Sequence, residues 1–317
     1  MNVVGVDVGA SKIAAGVVSP KGEILRSVRQ PTPETPRELL ETIVRVILEV
    51  HDDFEVGGAC VAVPGLVLAQ ENTVIYSPNL HAIEGIRLKE ELEPKVGLSL
   101  TIENDNSAAA WGEFRFGAGS TARHLVFVGL GTGIGGGIVT EGELLRGAQG
   151  AGGELGHVTI QATGPRCACG NRGCLEALAS GSAIGRRARE VATKHPESAL
   201  GRLAARQRVL GEDVTRLASE GDGLALSVLE EVGTWLGVGL ACFVNVFNPE
   251  VVVVGGGVME AGELILGPAR REMYLRARSP SGELAEVKVA ALGPESGVLG
   301  AAALAWDASS GDYLLNS

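Results

Sequence analysis

The sequence predicts an α/β protein made of two similar domains with a cleft between them. Three observations carry that reading. Short apolar runs of strand character alternate with helical patterns along the chain. Three of the strands end in glycine-rich turns, at Gly9, at Gly131-Thr132-Gly133 and at Gly255-Gly256-Gly257. The hairpin around Gly9 is also echoed around Gly131, 122 positions later, as duplication of one fold unit would leave it. The predicted boundaries are 1–117 for a smaller N-terminal domain and 118–296 for a larger one, split at the hinge-like Gly117-Ala118-Gly119-Ser120. A C-terminal helix over 297–306 is expected to return to the first domain.

The elements follow in order. Val3 to Val8 reads as a strand, and Ile13 to Val18 as its hairpin partner. The turn between them, Gly9-Ala10-Ser11-Lys12, opens a strand rather than a helix, so it is neither a Rossmann nor a Walker turn. Thr35-Pro36-Arg37-Glu38 is a capping box with proline at the first helical position. The helix it starts puts Leu39, Leu40, Ile43, Ile47 and Val50 on one face. Val56 to Val63 is a buried strand ending at Pro64-Gly65, Tyr76 to Asn79 is loop, and Leu88 to Val96 is a short helix. Leu98 to Ile102 is a strand running into Glu103-Asn104-Asp105-Asn106-Ser107, after which the pattern is helical to about Phe116. Asp105 has two compatible uses there: as the N-cap of that helix, or as a carboxylate at the carboxyl end of a sheet strand, where α/β folds bind ligands.

The second half begins as the first did, with strands at Leu125 to Leu130 and Ile134 to Thr140. It then turns mostly helical, at Ser182 to Thr193, at Asp213 to Glu220 with Asp213 as cap, and at Asp222 to Phe247. Val251 to Val254 is a fully apolar, parallel-type strand. Glu286 to Ala290 is the last strand, Gly297 to Trp306 a small-residue helix, and Ala308 to Ser317 a patternless tail.

Bulk properties narrow the function. Hydrophobic residues make up 45% of 317, enough for a sizeable core. The net charge of −11, without a basic cluster, argues against nucleic acid as a partner. Five cysteines, three of them close together, do not form a secreted disulfide framework. The start reads as a strand rather than a signal region, and the apolar run Leu236 to Phe247 is too short for a bilayer. A cytoplasmic protein without membrane contact is the expectation.

The stretch Glu154 to Glu176 carries the most chemistry. His157, Cys167, Cys169 and Cys174 supply the four ligands of a closed Cys3His zinc site. The alternative is buried thiols beside an unrelated histidine. Glu154 and Glu176 bracket the stretch without being needed for a metal. Glycine-rich strand ends, two similar halves and no Walker motif together point to a nucleotide held between domains.

At these residues the chain resembles the ROK family (repressors, open reading frames and sugar kinases), within the actin-like ATPase (ribonuclease H-like) fold. The resemblance runs from Val3 to about Trp306. It rests on the glycine-rich segment from Gly129 to Glu154, on Glu-x-Gly-His at Glu154 to His157, on the Cys-x-Cys-Gly-x-x-Gly-Cys-x-Glu motif at Cys167 to Glu176, and on Glu103-Asn104-Asp105. Within the family the likeness is greatest to bacterial glucokinases. It implies an enzyme of carbohydrate metabolism that phosphorylates a hexose, glucose above all, with ATP, Mg2+ and a structural Zn2+. Asp105 would be the catalytic base. Gly65, Asn79, Asn104, Asp105, Glu154, His157 and Glu176 would hold the sugar, and His157, Cys167, Cys169 and Cys174 the zinc. Gly9, Ser11, Lys12, Gly131, Thr132 and Gly133 would approach the phosphates, Gly255 and Gly256 the adenosine, and Asp7 the magnesium through water. By analogy the chain would be a homodimer or homotetramer.

Two positions depart from the family pattern. Ser107 stands where asparagine is frequent, and Ala10 stands where the first hairpin usually has a second glycine. If position 10 requires a positive φ, the methyl group would weaken phosphate binding. Other readings are a kinase for N-acetylhexosamines or other hexoses, a sugar-sensing regulator without a DNA-binding segment, and a non-catalytic actin-like ATPase. The last does not account for a cysteine loop flanked by two glutamates.

Overall fold

The structure, a computed structural model, describes residues 1–68, 72–77 and 80–310. The first part of the chain runs β1 (Asn2–Val8), β2 (Lys12–Val18), β3 (Ile24–Pro31), α1 (Pro36–His51), β4 (Val56–Val63), β5 (Leu66–Leu68), β6 (Thr73–Tyr76), α2 (Leu88–Val96), β7 (Leu100–Asn104) and α3 (Asp105–Phe116). It continues β8 (Leu125–Leu130), β9 (Ile134–Thr140), β10 (Glu143–Leu144), α4 (Leu175–Ala179), α5 (Gly181–Lys194), α6 (Ala199–Ala204), α7 (Gly211–Ser219) and α8 (Gly223–Phe247). The last elements are β11 (Val251–Gly255), α9 (Glu263–Arg276), α10 (Ser281–Leu284), β12 (Glu286–Val289) and α11 (Ser296–Ser310).

The two five-stranded sheets repeat one topology. In the order β3-β2-β1-β4-β7, the first three strands are antiparallel neighbours and β1, β4 and β7 are parallel. In the order β10-β9-β8-β11-β12, β10 and β9 are antiparallel, and β8, β11 and β12 are parallel. The similarity of the hairpins at Gly9 and Gly131 therefore extends to whole sheets. Parallel strands point their carboxyl ends the same way. Hence Asp7, Val63 and Asn104 end at one edge of the first sheet, and Leu130 and Gly255 at one edge of the second.

The chain divides into two compact units. Unit 1 holds Met1–Arg123, Gly137–Gly153 and the chain from Ala291 onward; unit 2 holds His124–Gly136 and Glu154–Ala290. In unit 1, Val4, Val6 and Val8 of β1 are fully buried with Leu39, Ile43, Ile47 and Val50 of α1. Strand alternation turns Asp7 to the opposite side. There α11 packs on β1, β4 and α3. Each of those α1 side chains contributes up to about 1.5–3 kcal/mol of hydrophobic burial. The Thr35 hydroxyl caps α1, accepting the Glu38 N–H at 3.3 Å and donating to the Glu38 carboxylate at 2.7 Å; the carboxylate thus takes the hydroxyl rather than the Thr35 N–H of the predicted capping box.

In unit 2 the apolar run seen in the sequence is the end of α8. This 25-residue helix is by length and composition long and apolar enough to cross a bilayer, so the run is longer than it read. Its most apolar window is 61% buried, and α8 packs against α4, α5, α7, α9 and α10. It is the core helix of the unit.

Several local expectations are corrected. The cap of α3 is Asn104, whose Oδ1 accepts the N–H groups of Asn106 and Ser107 at 2.9 and 3.0 Å; Asp105 is the first helical residue. Asp213 is the third residue of α7, where its carboxylate accepts the Leu210 N–H at 3.0 Å. The helix expected to stop at Trp306 continues to Ser310, so only residues 311–317 of the predicted tail lie outside the described residues. Strands β3, β5, β6 and β10 and helices α4, α6, α9 and α10 are additions to the sequence reading, and Tyr76, read as loop, closes β6.

Candidate functional site

Two sets of predicted site residues come together, one in each unit. In unit 1 the set lies at the carboxyl edge of the parallel strands. The turn after β1 closes with the Gly9 N–H donating to the Lys12 carbonyl at 2.8 Å, and Thr32 Oγ1 donates to the Gly9 carbonyl at 2.7 Å. Ala10, Ser11 and Lys12 are exposed on it. Among the described residues the non-glycine positions with positive φ are Asn72, Glu141 and Asn248. Ala10 is not one of them, so its methyl group introduces no backbone strain.

Gly65 ends the next turn with φ of 107°, and a Cβ there would stand 2.1 Å from the Tyr76 carbonyl oxygen. Only glycine fits. Its carbonyl accepts the Asn104 Nδ2 at 2.9 Å. Asn104 is thus fixed at both ends of its amide. Asp105 follows, its Oδ1 accepting the Asn106 N–H at 2.8 Å and the Asn106 Nδ2 at 2.9 Å. Protein atoms crowd this carboxyl, and burial, with the negative charge of Asp7 second, raises its pKa from 3.8 to about 7. Burial also raises the pKa of Asp7, and Lys12 partly offsets that. Asn79, the remaining predicted sugar residue of this part of the chain, lies outside the described residues.

Beside Asn104, Glu103 is buried and accepts the Arg146 Nε at 2.8 Å. Sequence reasoning passed over Arg146, since a lone arginine in a loop carries no pattern. The pair ties the end of β7 to the loop that runs on to Glu154.

In unit 2 the cysteine loop is folded by its own main chain. The Cys167 N–H donates to the Asn171 carbonyl at 2.8 Å, the Gly170 N–H to the Cys167 carbonyl at 3.0 Å, and the Leu175 N–H to the Val158 carbonyl at 2.9 Å. His157 Nδ1 stands 3.8 Å from Cys167 Sγ, and Cys169 Sγ stands 3.8 Å from Cys174 Sγ. All four ligand atoms lie within 4.8 Å of one another. Tetrahedral zinc with bonds of about 2.3 Å to sulfur separates its ligands by roughly 3.8 Å, so the residues present fit that ion. Burial pushes the Cys167 thiol up to about 12 and raises that of Cys174, while the Asn171 N–H holds exposed Cys169 below its usual value.

The other imidazole nitrogen, Nε2, is 3.8 Å from Glu154 Oε2. Glu176 joins two loops. Its Oε1 is 3.5 Å from Cys167 Sγ, and its Oε2 accepts the Ile134 N–H at 3.0 Å, just past the glycine turn. A Cβ at Gly133 would stand 2.3 Å from that oxygen. Each carboxylate oxygen has a second lone pair, so Glu176 can still accept from a ligand. The turn itself closes by Gly131 N–H to Gly133 carbonyl at 2.9 Å. The start of α5 leans on it, with the Gly181 N–H donating to the Gly131 carbonyl at 2.9 Å.

Next to this turn is a cavity of ≈ 390 Å³, walled by Thr132, Ser182, Gly185, Gly211, Glu212 and Val258 among others. That volume suits a small organic ligand. Gly131 and Thr132 line it. Gly255 and Gly256 do not; the next residue, Gly257, does. The walls from α5 and α7 were missed, because attention to strand ends overlooks helix starts. The available signal was glycine at the openings of both helices, Gly181 with Gly185 and Gly211.

Comparison with known proteins agrees over nearly the full length. A glucokinase of Streptomyces coelicolor is 38% identical over 308 residues, covering 95% of this chain and 96% of that protein. The crystal structure of a ROK family glucokinase from Streptomyces griseus, in complex with glucose and AMPPNP, is 36% identical with a TM-score of 0.84, covering 97% of this chain and 100% of that one. A ROK hexokinase from Thermus thermophilus has the same TM-score at 33% identity, covering 98% and 100%. The family profile for ROK proteins matches residues 3–308. With that match and this fold, the chain belongs to the ROK family.

Proposed function

We propose that this protein is an ATP-dependent hexose kinase that phosphorylates glucose in preference to other hexoses, with Asp105 as the base. The observation that carries the reading is the state of Asp105. It is a crowded carboxyl at the carboxyl end of parallel strands, with a pKa near 7 and beside a rigidly held Asn104. A general base works best with its pKa near the operating pH. The near full-length likeness to glucokinases supports the same chemistry.

Asp105 takes the proton from one sugar hydroxyl as its oxygen bonds to the γ-phosphorus. The bond from that phosphorus to the β–γ bridging oxygen breaks, and ADP leaves. Asn104 offers a fixed amide, and Glu154, His157 and Glu176 offer acceptors and a ring nitrogen to the other hydroxyls. The turns at Gly9 to Lys12 and Gly131 to Gly133 present main-chain N–H groups suited to phosphates. The cavity between α5, α7 and Gly257 takes the base and ribose of the nucleotide. Magnesium, bound with the nucleotide, would supply charge neutralisation, and Asp7 would be the carboxylate that holds it. Zinc, where His157, Cys167, Cys169 and Cys174 hold it, supplies rigidity only, since four protein ligands close its coordination.

The test is ADP release with ATP and magnesium against a panel of glucose, mannose, fructose, N-acetylglucosamine and N-acetylmannosamine. Glucose should give the highest kcat/KM. If no sugar in the panel stimulates ADP release, the proposal is wrong.

A further inference from the structure

Glu113 lies in the last turn of α3, the helix that begins at Asp105, and it is completely buried. The reaction proposed above makes no use of it. Its Oε2 accepts the main-chain N–H groups of Ala118 at 2.8 Å and Ala291 at 3.0 Å, and its Oε1 accepts that of Leu292 at 2.9 Å. Its own carbonyl accepts the N–H groups of Gly117 and Gly119 at 3.1 and 3.0 Å. Ala118 is on the connection by which the chain first leaves unit 1, after Arg123. Ala291 is where it finally returns. One carboxylate therefore fastens the Asp105 helix to both connections.

This is not what ending a helix requires. Helix C-termini need donors for free carbonyls, and glycine commonly provides the geometry. A negative charge in the last turn opposes the helix dipole. Burying a carboxylate is costly unless its oxygens are fully hydrogen-bonded. Bonds from N–H groups to an ionised acceptor are, in turn, roughly twice as strong as neutral ones. Glu113 is thus badly placed for α3 alone and well placed for holding two distant pieces of chain at once.

We infer that Glu113 is a positioning residue for Asp105: it holds residues 117–119 and 291–292 in fixed register with the helix that carries the base, so that neither connection shifts without α3. The inference rests on the proposed role of Asp105.

Glu113→Gln in the full chain tests it. Glutamine keeps the size but offers one oxygen and turns an NH2 toward N–H donors, so at least one attachment is lost. Amide hydrogen exchange without substrates should show at least one of the two connections losing protection by about ten-fold or more, with α1 unchanged. In steady state, kcat with glucose and ATP should fall about ten-fold or more, while KM for glucose stays within about three-fold. A lower melting temperature with wild-type kcat would make Glu113 a stability residue and overturn the inference. So would unchanged exchange at both connections. If the wild-type protein phosphorylates no sugar, the functional proposal fails instead, and the exchange result still decides whether this carboxylate holds the connections. Should the glutamine variant not fold, Glu113→Asp keeps the charge and withdraws the oxygens by one methylene. It must then show the same two losses in lesser degree, and wild-type kcat in that variant overturns the inference.

Discussion

Replacing Asp105 by asparagine separates its chemistry from its cost to the fold. The substitution is nearly isosteric, and the amide oxygen can still accept the two bonds from Asn106. Capping of α3 belongs to Asn104 and is untouched. What disappears is the titrating carboxyl. Its pKa is 3.8 ordinarily and about 7 here, raised by burial and then by Asp7. Between those values the folded protein holds a proton that the unfolded chain has released. Stability therefore falls as pH rises through this window, and the penalty is complete above about 7. At roughly 1.4 kcal/mol per pH unit the ceiling is about 4 kcal/mol. Asp105 keeps some solvent access, which screens the effect, so a gain of about 1–2 kcal/mol is expected for Asp105→Asn at pH 8. For a chain of this size that is a melting temperature higher by roughly 2–4 °C at pH 8, with a smaller gain at pH 5.5. Turnover should drop by about 10²–10⁴-fold in a coupled ADP assay with glucose. Near wild-type turnover would falsify the assignment of the base. A variant no more stable than wild type at pH 8, or one whose advantage shrinks as pH rises, would refute the electrostatic account.

Three further outcomes are expected. The wild-type kcat/KM for glucose should have an acid limb near pH 7 that falls as pH drops, because protonated Asp105 cannot accept; a flat profile from pH 5.5 to 8 contradicts this. Cys169→Ser should lose its stoichiometric zinc by metal analysis and bind glucose about ten-fold or more weakly, whereas retained zinc at one per chain would rule out the four-ligand site. Arg146→Met should destabilise the fold by about 3 kcal/mol in urea unfolding, because it strands the buried charge of Glu103, and adding Glu103→Gln should recover part of the loss; an additive double variant would show that the two do not interact.

Much of the fold was legible because its signals are local. Glycine-terminated valine strands and the Thr35-Pro36 cap announce themselves. Strand β3 was missed because its residues alternate between half-buried and exposed, with Arg26, Ser27, Arg29 and Gln30 in eight positions. Helix α9 was missed because it follows Gly262, which offers no side-chain cap, and contains Pro268. At Asn104-Asp105, two adjacent residues are both good caps, and only the hydrogen bonds tell which one serves. The clustering of His157 with the three cysteines was readable from spacing, since three cysteines in eight positions have few alternatives. Glu113 was not, because a glutamate on a helix ordinarily faces water, and its donors come from residues 118, 291 and 292.

The contact between Glu176 and Gly133 has a consequence for how this sequence can drift. One oxygen of the carboxylate touches a cysteine of the cysteine loop, and the other occupies the space that any side chain at position 133 would need. The two positions are 43 residues apart, and a side chain at 133 has to displace the carboxylate at 176. A larger residue at 133 requires the carboxylate at 176 to swing away, shorten or go, and that change would first be felt at the cysteines. Among related sequences, substitution of glycine at 133 should therefore be found more often where 176 is no longer glutamate than where it is.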